Sequence, residues 1–467
     1  MTSALSRFLR LFMMALILSV SFVQPAAADD NDPTVLRDTE TEALLHDLVT
    51  PLVNAAGLDP NNVDVILLGS PQINAFVATG QHIYVYSGLI LDLDNVNELQ
   101  GVLAHELGHI TAGDAIRAGQ GEKTALGIQL ATLVLGAIAV AAGAGDAGLG
   151  VMMAGQRAAL GKYLAFTRAQ ESTADASAVK FLHIAGISGK GMLQFFGKLQ
   201  QEEYRLAIYS TDSFDSTHPL SSERIQALEQ NFKNDPAWNK PVDPKLEERF
   251  ERVQAKLYGY INPKLALTKY PESNKSIPAH YARAYAYHLG AYPEKALSEA
   301  DTLLAAEPND PYFLELKGQI LLESGRPQEA IAPLKEATKV SGDAPLIASM
   351  YSHALIATED PKNYPEAKQV LKAAVGRDNQ NPFAWFQLGM IYDQEGDPAR
   401  AALATAERNN LEGKPKLALT SARTAMRGIP QGTPDYLRAQ DIAMVSCTEI
   451  KQDKDSSKKD KAALCNN

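Results

Sequence analysis

The chain has 467 residues, with 44 basic and 55 acidic side chains and a formal net charge of −11. Such an acidic chain should not bind nucleic acid non-specifically. It contains only two cysteines, Cys447 and Cys465, whose spacing does not match a zinc knuckle and which lie far from any histidine. A cysteine-based metal site is therefore excluded.

The N-terminus has the features of a secretory signal. Arg7 and Arg10 precede an apolar stretch, Leu11–Val23, which is followed by the small-residue run Pro25-Ala-Ala-Ala28. This order predicts that residues 1–28 are a signal peptide that is cleaved after Ala28 and directs export. Cleavage removes two basic residues and no acidic ones, so the net charge moves from −11 to −13.

A short strand is predicted after residue 80, because apolar and polar residues alternate from His82 to Ser87. An extended peptide could pair with the edge of this region through backbone hydrogen bonds, which makes Asn74, Ala75 and Phe76 candidate substrate-binding residues. The alternative is a hairpin that only builds the core, and both can be true of one strand.

The run His105-Glu-Leu-Gly-His109 is the strongest chemical signal in the chain. On a helix, residues i and i+4 share one face, so His105 and His109 can bind one metal ion. Glu106 lies next to them and can accept and return a proton as general base and general acid during hydrolysis. A hydrolytic zinc site needs a third protein ligand from elsewhere in the chain and an open position for water.

Residues 124–155 are rich in Ala, Gly and Leu, and no charge occurs between Lys123 and Asp146. The length of this segment approaches that of a membrane span. We rank an amphipathic or lid segment first, partial membrane insertion second and a full span third, with a buried helical hairpin as the structural alternative. A single span would put the two parts of the metal site on opposite sides of the bilayer.

Glu171 and Asp175 form a second candidate pair on one helical face. If Glu171 binds the metal, Asp175 lies one turn further on and can fix the tautomer of a ligand histidine. The alternative is an ordinary solvated face. His218, in Thr217-His-Pro219, is a candidate oxyanion donor or an inhibitory fourth ligand, unless it is only an exposed loop residue.

The C-terminal half is predicted to be a repeat array. Residues 235–276 are expected to form a linker helix region, and residues 277–435 contain helix-pair repeats whose alanines at 296, 330, 367 and 401 lie 34, 37 and 34 residues apart. This period resembles tetratricopeptide repeats, which bind peptides or proteins on a concave face. Residues 436–467 are predicted to be a polar tail with a local disulfide between Cys447 and Cys465.

The motifs together resemble the HtpX/BepA/CAAX-prenyl-endopeptidase family of zinc metallopeptidases, in the layout of members that carry C-terminal repeats. The resemblance covers roughly residues 40–230 and rests on Asn74-Ala-Phe76, His105-Glu-Leu-Gly-His109, Glu171-Ser-Thr-Ala-Asp175, and Thr217-His-Pro219 followed by Arg224. It implies that Glu171 is the third ligand of one Zn²⁺ per chain and that Asp175 orients a ligand. It also implies a metallopeptidase domain over residues 29–234.

The predicted fold is thus an α+β catalytic domain, mostly helical with a small sheet (gluzincin-like), followed by an all-α tetratricopeptide-repeat solenoid. The signal predicts export, and the resemblance implies a periplasmic zinc endopeptidase that cleaves misfolded or stalled outer-membrane proteins. Its repeats would bind clients or the outer-membrane assembly machinery. One alternative is a chaperone or scaffold with an autoinhibited metal site, and another is a protease embedded in or peripherally bound to the membrane.

Overall fold

The computed structural model describes residues 33–78, 80–141, 145–206, 218–452 and Cys465. The predicted signal peptide, residues 1–28, lies outside the described residues, as does Thr217. Two large hydrophobic cores divide the described chain. The first is built by residues 44–257 and the second by residues 281–404. We call these parts the peptidase half and the repeat half.

The peptidase half contains one sheet of four short strands, β1 (Thr34–Val35), β2 (Asp64–Gly69), β3 (Ala75–Val77) and β4 (His82–Tyr86). The strand order is β1-β2-β4-β3, with β2 and β4 parallel and the other pairs antiparallel. The predicted alternation in β4 is present, since Ile83 and Val85 are buried while their neighbours are partly exposed. Strand β3 therefore forms one outer edge of the sheet.

Helices make up most of the peptidase half, and they are α1 (Thr39–Ala56), α2 (Ser87–Asp92), α3 (Val96–Ala112), α4 (Asp114–Ala141), α5 (Gly145–Ala185), α6 (Lys190–Leu206), α7 (Ser222–Lys233) and α8 (Pro244–Ile261). Helix α3 carries the His-Glu-x-x-His motif. It begins at the cap Asn95, whose side chain accepts a hydrogen bond from the Glu98 amide, and it ends at Gly113 in the left-handed conformation (φ 70°). Its residues from Val96 to His109 are all buried.

Helices α4 and α5 form a long hairpin that contains the apolar segment 124–155. They pack on each other, α4 also touches α3, and α5 also packs on α3 and α1. Across the residues that the structure describes, no helix combines the length and the apolar character that crossing a bilayer requires.

The predicted linker, residues 235–276, contains α8 and a short helix, α9 (Pro263–Lys269). Helix α8 is not a free connector, because Phe250 and Val253 on its apolar face are buried in the core of the peptidase half. The repeat half begins directly afterwards at Ile277.

Five antiparallel helix pairs follow, and their helices are α10 (Ile277–Leu289), α11 (Pro293–Ala306), α12 (Pro311–Glu323), α13 (Pro327–Val340), α14 (Pro345–Ala357), α15 (Tyr364–Arg377), α16 (Pro382–Gln394), α17 (Pro398–Leu411), α18 (Pro415–Gly428) and α19 (Pro434–Gln452). Of the four alanines that set the repeat period in the sequence, Ala296, Ala330 and Ala367 are fully buried and Ala401 is partly buried. A small side chain there lets neighbouring helices pack closely, which explains the period.

The fold class is confirmed as mostly helical with a small sheet, followed by a helical repeat solenoid. The prediction that a polar tail starts at residue 436 is wrong, because helix α19 continues to Gln452. Its residues Ala439, Ile442 and Ile450 are buried on one face, so the segment packs on the array instead of extending into solvent. Cys447 and Cys465 are placed as a bonded pair, and their disulfide stays a prediction.

The two halves meet at a buried cluster of charged and polar side chains, which we call the joint. Arg252 of α8 lies 3.0 Å from Glu40 of α1 and donates a 2.8 Å hydrogen bond to Asp310 of the repeat half. Tyr281 of α10 donates a 2.7 Å hydrogen bond to Glu40. Lys256, also on α8, pairs with Asp38. The joint thus links α1, α8 and the first two repeats.

Candidate metal centre

His105 and His109 lie one turn apart on α3, and their Nε2 atoms are 3.2 Å from each other. Both side chains are buried. Helix α3 approaches α5 closely at Gly108, where a Cβ atom would lie only 2.7 Å from the carbonyl oxygen of Ala174. The glycine inside the motif therefore brings the two histidines close to the helix that carries Glu171.

Glu171 of α5 completes the group from the opposite side. Its carboxylate oxygens lie 3.3 Å from His105 Nε2 and 3.6 Å from His109 Nε2. His218 joins them from the segment before α7, with its Nδ1 3.2 Å from the Glu171 carboxylate and 3.4 Å from His105 Nε2. One nitrogen or oxygen from each of the four residues lies within 4.8 Å of the others, and all four are buried.

Two carboxylates hold the far sides of the histidine rings. Asp175 Oδ1 lies 3.1 Å from His105 Nδ1, and Asp114 Oδ2 lies 2.9 Å from His109 Nδ1. A carboxylate at Nδ1 fixes the ring and the tautomer, so that Nε2 is available to a metal ion. Asp175 was a predicted orienting residue. Asp114 was missed, although its position directly after Gly113 at the end of the motif helix could have indicated it.

Arg224 of α7 fixes Asp175 in turn. It donates hydrogen bonds of 2.7 and 2.9 Å to the two oxygens of Asp175, and its Nη1 lies 3.1 Å from Glu171. The sequence analysis noted Arg224 only as part of a motif and gave it no role. Arg224 connects α7 to the carboxylates of α5.

The centre attracts positive charge. Burial alone would lower the pKa of His105, but its contacts with Asp175 and Glu171 outweigh burial and raise the pKa to about 9. Burial would raise the pKa of Glu171, but His105 and His218 hold it well below its ordinary value. These groups thus favour a cation between them, which can be a proton or a metal ion.

Comparison with known proteins agrees with this geometry. Residues 39–231 match the model of Peptidase family M48, and residues 282–345 and 362–409 match a tetratricopeptide repeat model. The Beta-barrel assembly-enhancing proteases of Yersinia pestis and Escherichia coli K12 are 27% and 25% identical to the chain, covering 84% of it and 82% and 81% of their own lengths. Metalloprotease LoiP of Escherichia coli K12 is 32% identical over 40% of this chain and 70% of its own.

This chain belongs to peptidase family M48. It is a metalloendopeptidase with C-terminal tetratricopeptide repeats, homologous over most of its length to the assembly-enhancing proteases. Membership implies a divalent metal ion. The predicted family and enzyme class are therefore confirmed.

The residues of the centre fit such an ion. Two imidazole nitrogens and one carboxylate oxygen are a donor set that zinc accepts. Both carboxylate oxygens of Glu106 are buried and have no hydrogen-bond partner within the described residues, and His218 Nε2 lies 3.6 Å from Oε1. A buried carboxylate without a hydrogen bond is unfavourable for folding alone, which favours a functional role for Glu106.

His218 occupies the side of the centre that is not taken by the two motif helices. Its Nδ1 lies among the ligand atoms, while its Nε2 faces Glu106. This placement argues against the interpretation of an exposed loop histidine. In this arrangement His218 is positioned as a fourth ligand, and a role as oxyanion donor would require the ring to move.

The candidate substrate-binding residues lie at the edge of the sheet. Ala75 and Phe76 are in β3, which packs against α3. The side chains of Asn74 and Ala75 are buried, and the Phe76 ring stacks on Tyr84 with 5.1 Å between ring centroids. Asn74 and Ala75 could therefore contact substrate only through their backbone, whereas the Phe76 side chain is partly exposed. Their role in binding stays a prediction.

Proposed function

We propose that this protein is an exported zinc endopeptidase that hydrolyses peptide bonds of misfolded or stalled outer-membrane proteins in the periplasm, and that its repeats bind clients or assembly partners. The observation that carries the proposal is the convergence of His105, His109 and Glu171 beside the buried carboxylate of Glu106. The names of the homologous proteases support the choice of envelope β-barrel proteins as clients.

In the mechanism, His105, His109 and Glu171 would hold the cation. A bound divalent cation would polarise the scissile carbonyl and lower the pKa of the attacking water, so that the water can lose a proton near neutral pH. Glu106 accepts the proton of the attacking water and then donates it to the leaving amine nitrogen. Asp175 and Asp114 keep the histidine rings aimed at the centre throughout.

A second candidate function follows from the position of His218. Because its Nδ1 lies among the ligand atoms, this histidine can close the centre, and the protein would then act as a chaperone or scaffold with an inhibited site. A His218→Ala variant distinguishes the two. If the parent chain does not cleave an unfolded outer-membrane protein and the variant does, the parent is locked. Equal cleavage by both proteins would exclude the lock.

Metal binding tests the proposed ligands directly. We expect about one zinc ion per purified parent chain, and loss of both metal and peptide cleavage in a His109→Ala variant, because the centre then lacks one of the two histidines that the motif helix supplies. His46→Ala is the matched control, since His46 is an exposed histidine far from the centre in the sequence. Removal of zinc by a chelator should abolish cleavage, and added zinc should restore it. Zinc content that is unchanged in His109→Ala would contradict the assignment.

A further inference from the structure

The helical hairpin of α4 and α5 exposes an apolar surface that the proposed catalytic function does not use. Several large apolar side chains on its two helices are exposed, and we call the six that lie between Leu130 and Met153 in sequence, each between 37% and 59% exposed, the hairpin patch: Leu130, Leu133, Val134, Leu135, Val151 and Met153. A contiguous exposed apolar surface on a water-exposed protein usually marks an interaction site.

No third element covers the patch within the described part of the chain. Leu133, Val134 and Leu135 are consecutive and all exposed, although successive helical residues point about 100° apart. The two helices contact each other at Thr132 and Gly155, where a Cβ on the glycine would collide with the threonine side chain. The hairpin is thus apolar around most of its circumference, unlike a helix that packs one face on a core.

Charge is distributed along the hairpin in a second pattern. From residue 124 to residue 156 the sequence has no Lys or Arg and a single acidic residue, Asp146. Exposed basic residues follow at its base, namely Lys123, Arg157 and Lys162. Since Thr132 faces Gly155, Arg157 lies roughly level with Leu130, and Lys162 lies close to the level of Lys123. The three basic residues therefore form a band across both helices and outnumber the one acidic residue next to Lys123, Glu122, in a chain whose net charge is −11.

The dimensions of this arrangement match one leaflet of a membrane. From Leu130 to the end of α4 at Ala141 the helix advances about 17 Å. The hydrocarbon core of a bilayer is about 30 Å thick, so a single leaflet contributes about 15 Å. With the apolar end of the hairpin inserted, the basic band would lie at the level of the lipid headgroups.

We propose that the hairpin inserts into one leaflet of a bilayer that contains anionic phospholipid, and that it holds the peptidase on the membrane surface. Helix α5 carries both Arg157 and Glu171, which are separated by about 21 Å along the helix axis. Membrane contact through the hairpin therefore fixes the metal centre about 20 Å above the headgroups. This inference goes beyond peptide hydrolysis and does not depend on the zinc assignment.

The test is flotation of the exported, purified chain with lipid vesicles, after mass spectrometry has identified its N-terminus. Vesicles of phosphatidylethanolamine and phosphatidylglycerol are compared with vesicles of phosphatidylcholine. The patch variant carries Leu130→Gln and Leu133→Gln. Its matched control carries Leu417→Gln and Leu437→Gln, which replace leucines of similar exposure in the repeat half.

We expect the parent and the control to float with the anionic vesicles. The patch variant should partition into them less, by on the order of tenfold for each leucine replaced. Replacement of Lys123, Arg157 or Lys162 by Gln should weaken binding to anionic vesicles about fivefold for each charge, and should leave binding to phosphatidylcholine unchanged. Circular dichroism and metal content that match the parent show that a variant is folded.

Three results would overturn the proposal. The first is that the parent floats with neither kind of vesicle. The second is that the control loses as much binding as the patch variant, and the third is that the patch variant binds as tightly as the parent. Sedimentation without lipid adds a further outcome. If the parent is a dimer that the patch variant dissociates, and neither binds vesicles, the occupant of the patch is a second copy of the chain.

Discussion

Charged side chains are buried together both at the metal centre and at the joint between the halves. At the joint, Arg252 and Lys256 contact the carboxylates of Glu40, Asp310 and Asp38, so that opposite charges satisfy each other. At the metal centre, three ligand side chains converge with their donor atoms facing each other. Among the residues that the structure describes, the carboxylate of Glu106 has no hydrogen-bond partner there.

The difference shows how a structural charge cluster can be distinguished from a catalytic one. Burial is similar in both regions and therefore does not separate them. What separates them is whether the charges are complementary without an added ion. At the joint each carboxylate already faces a guanidinium or ammonium group, although Arg252 Nε has no hydrogen-bond partner among the described residues, whereas the centre combines lone pairs that need a cation between them.

The largest effect should come from removing one partner at the joint. Arg252→Met leaves Glu40 and Asp310 buried with less compensating charge, so the free energy of unfolding should fall by about 3 to 5 kcal/mol. Arg249→Met, on the same helix, removes a guanidinium that pairs with the exposed Asp47, and it should change stability by less than about 1 kcal/mol. Urea unfolding measures both variants. Equal losses would show that the joint has no special stabilising role.

A smaller effect is expected at the metal centre from the carboxylate behind His105. Asp175→Asn removes the negative charge that orients this ring, so zinc affinity should fall by about 10- to 100-fold. Competition with a chelator measures the affinity. Asp301→Asn, which changes an exposed carboxylate paired with Lys317, is the control. If Asp175→Asn lowers the free energy of unfolding but leaves zinc affinity unchanged, Asp175 holds Arg224 and does not orient His105.

The smallest effect concerns pH and Glu315, which lines a cavity of about 400 Å³ beside the joint. Burial raises the pKa of Glu315 to about 8, against the lowering effect of Lys256. Between the unfolded and the folded pKa values, Glu315 keeps its proton in the folded protein but loses it in the unfolded chain, where its pKa is about 4.5. Stability therefore decreases as pH rises from about 4.5 to about 8.

Glu315→Gln should remove this part of the pH dependence, which we expect to amount to about 1 kcal/mol because water screens the partly exposed side chain. Urea unfolding at both ends of the pH range measures it. Glu294→Gln, at an exposed glutamate, should leave the dependence unchanged. A Glu315→Gln variant with the parent's pH dependence would contradict the assigned pKa shift.

Local geometry explains which parts of the centre could be predicted from sequence. The spacing of His105 and His109 is sufficient to place both rings on one helix face, and Glu171 could be proposed because it resembles a known motif. The ring position of His218 could not be predicted, because it depends on how the chain returns from α6 to α7. Asp114 lies beyond the end of the motif helix, where helical spacing no longer applies, so only its position directly after Gly113 could have indicated it.

The same reasoning explains what was predicted in the rest of the fold. The period of the alanines from Ala296 onwards predicts the repeats, because each alanine has the same local packing role. The joint was not predicted, since Glu40 and Arg252 are 212 residues apart and each resembles a solvated residue on its own helix. Charge pairs between distant helices have no periodic signal in the sequence.

The central claim is that Glu106 performs catalysis and does not bind the metal. The most direct test compares the parent with Glu106→Gln, which keeps the size of the side chain and removes its charge. We predict that both proteins bind about one zinc ion per chain and that only the parent cleaves an unfolded outer-membrane protein. Cleavage by the variant at the parent's rate, or absence of zinc from both proteins, would contradict the account.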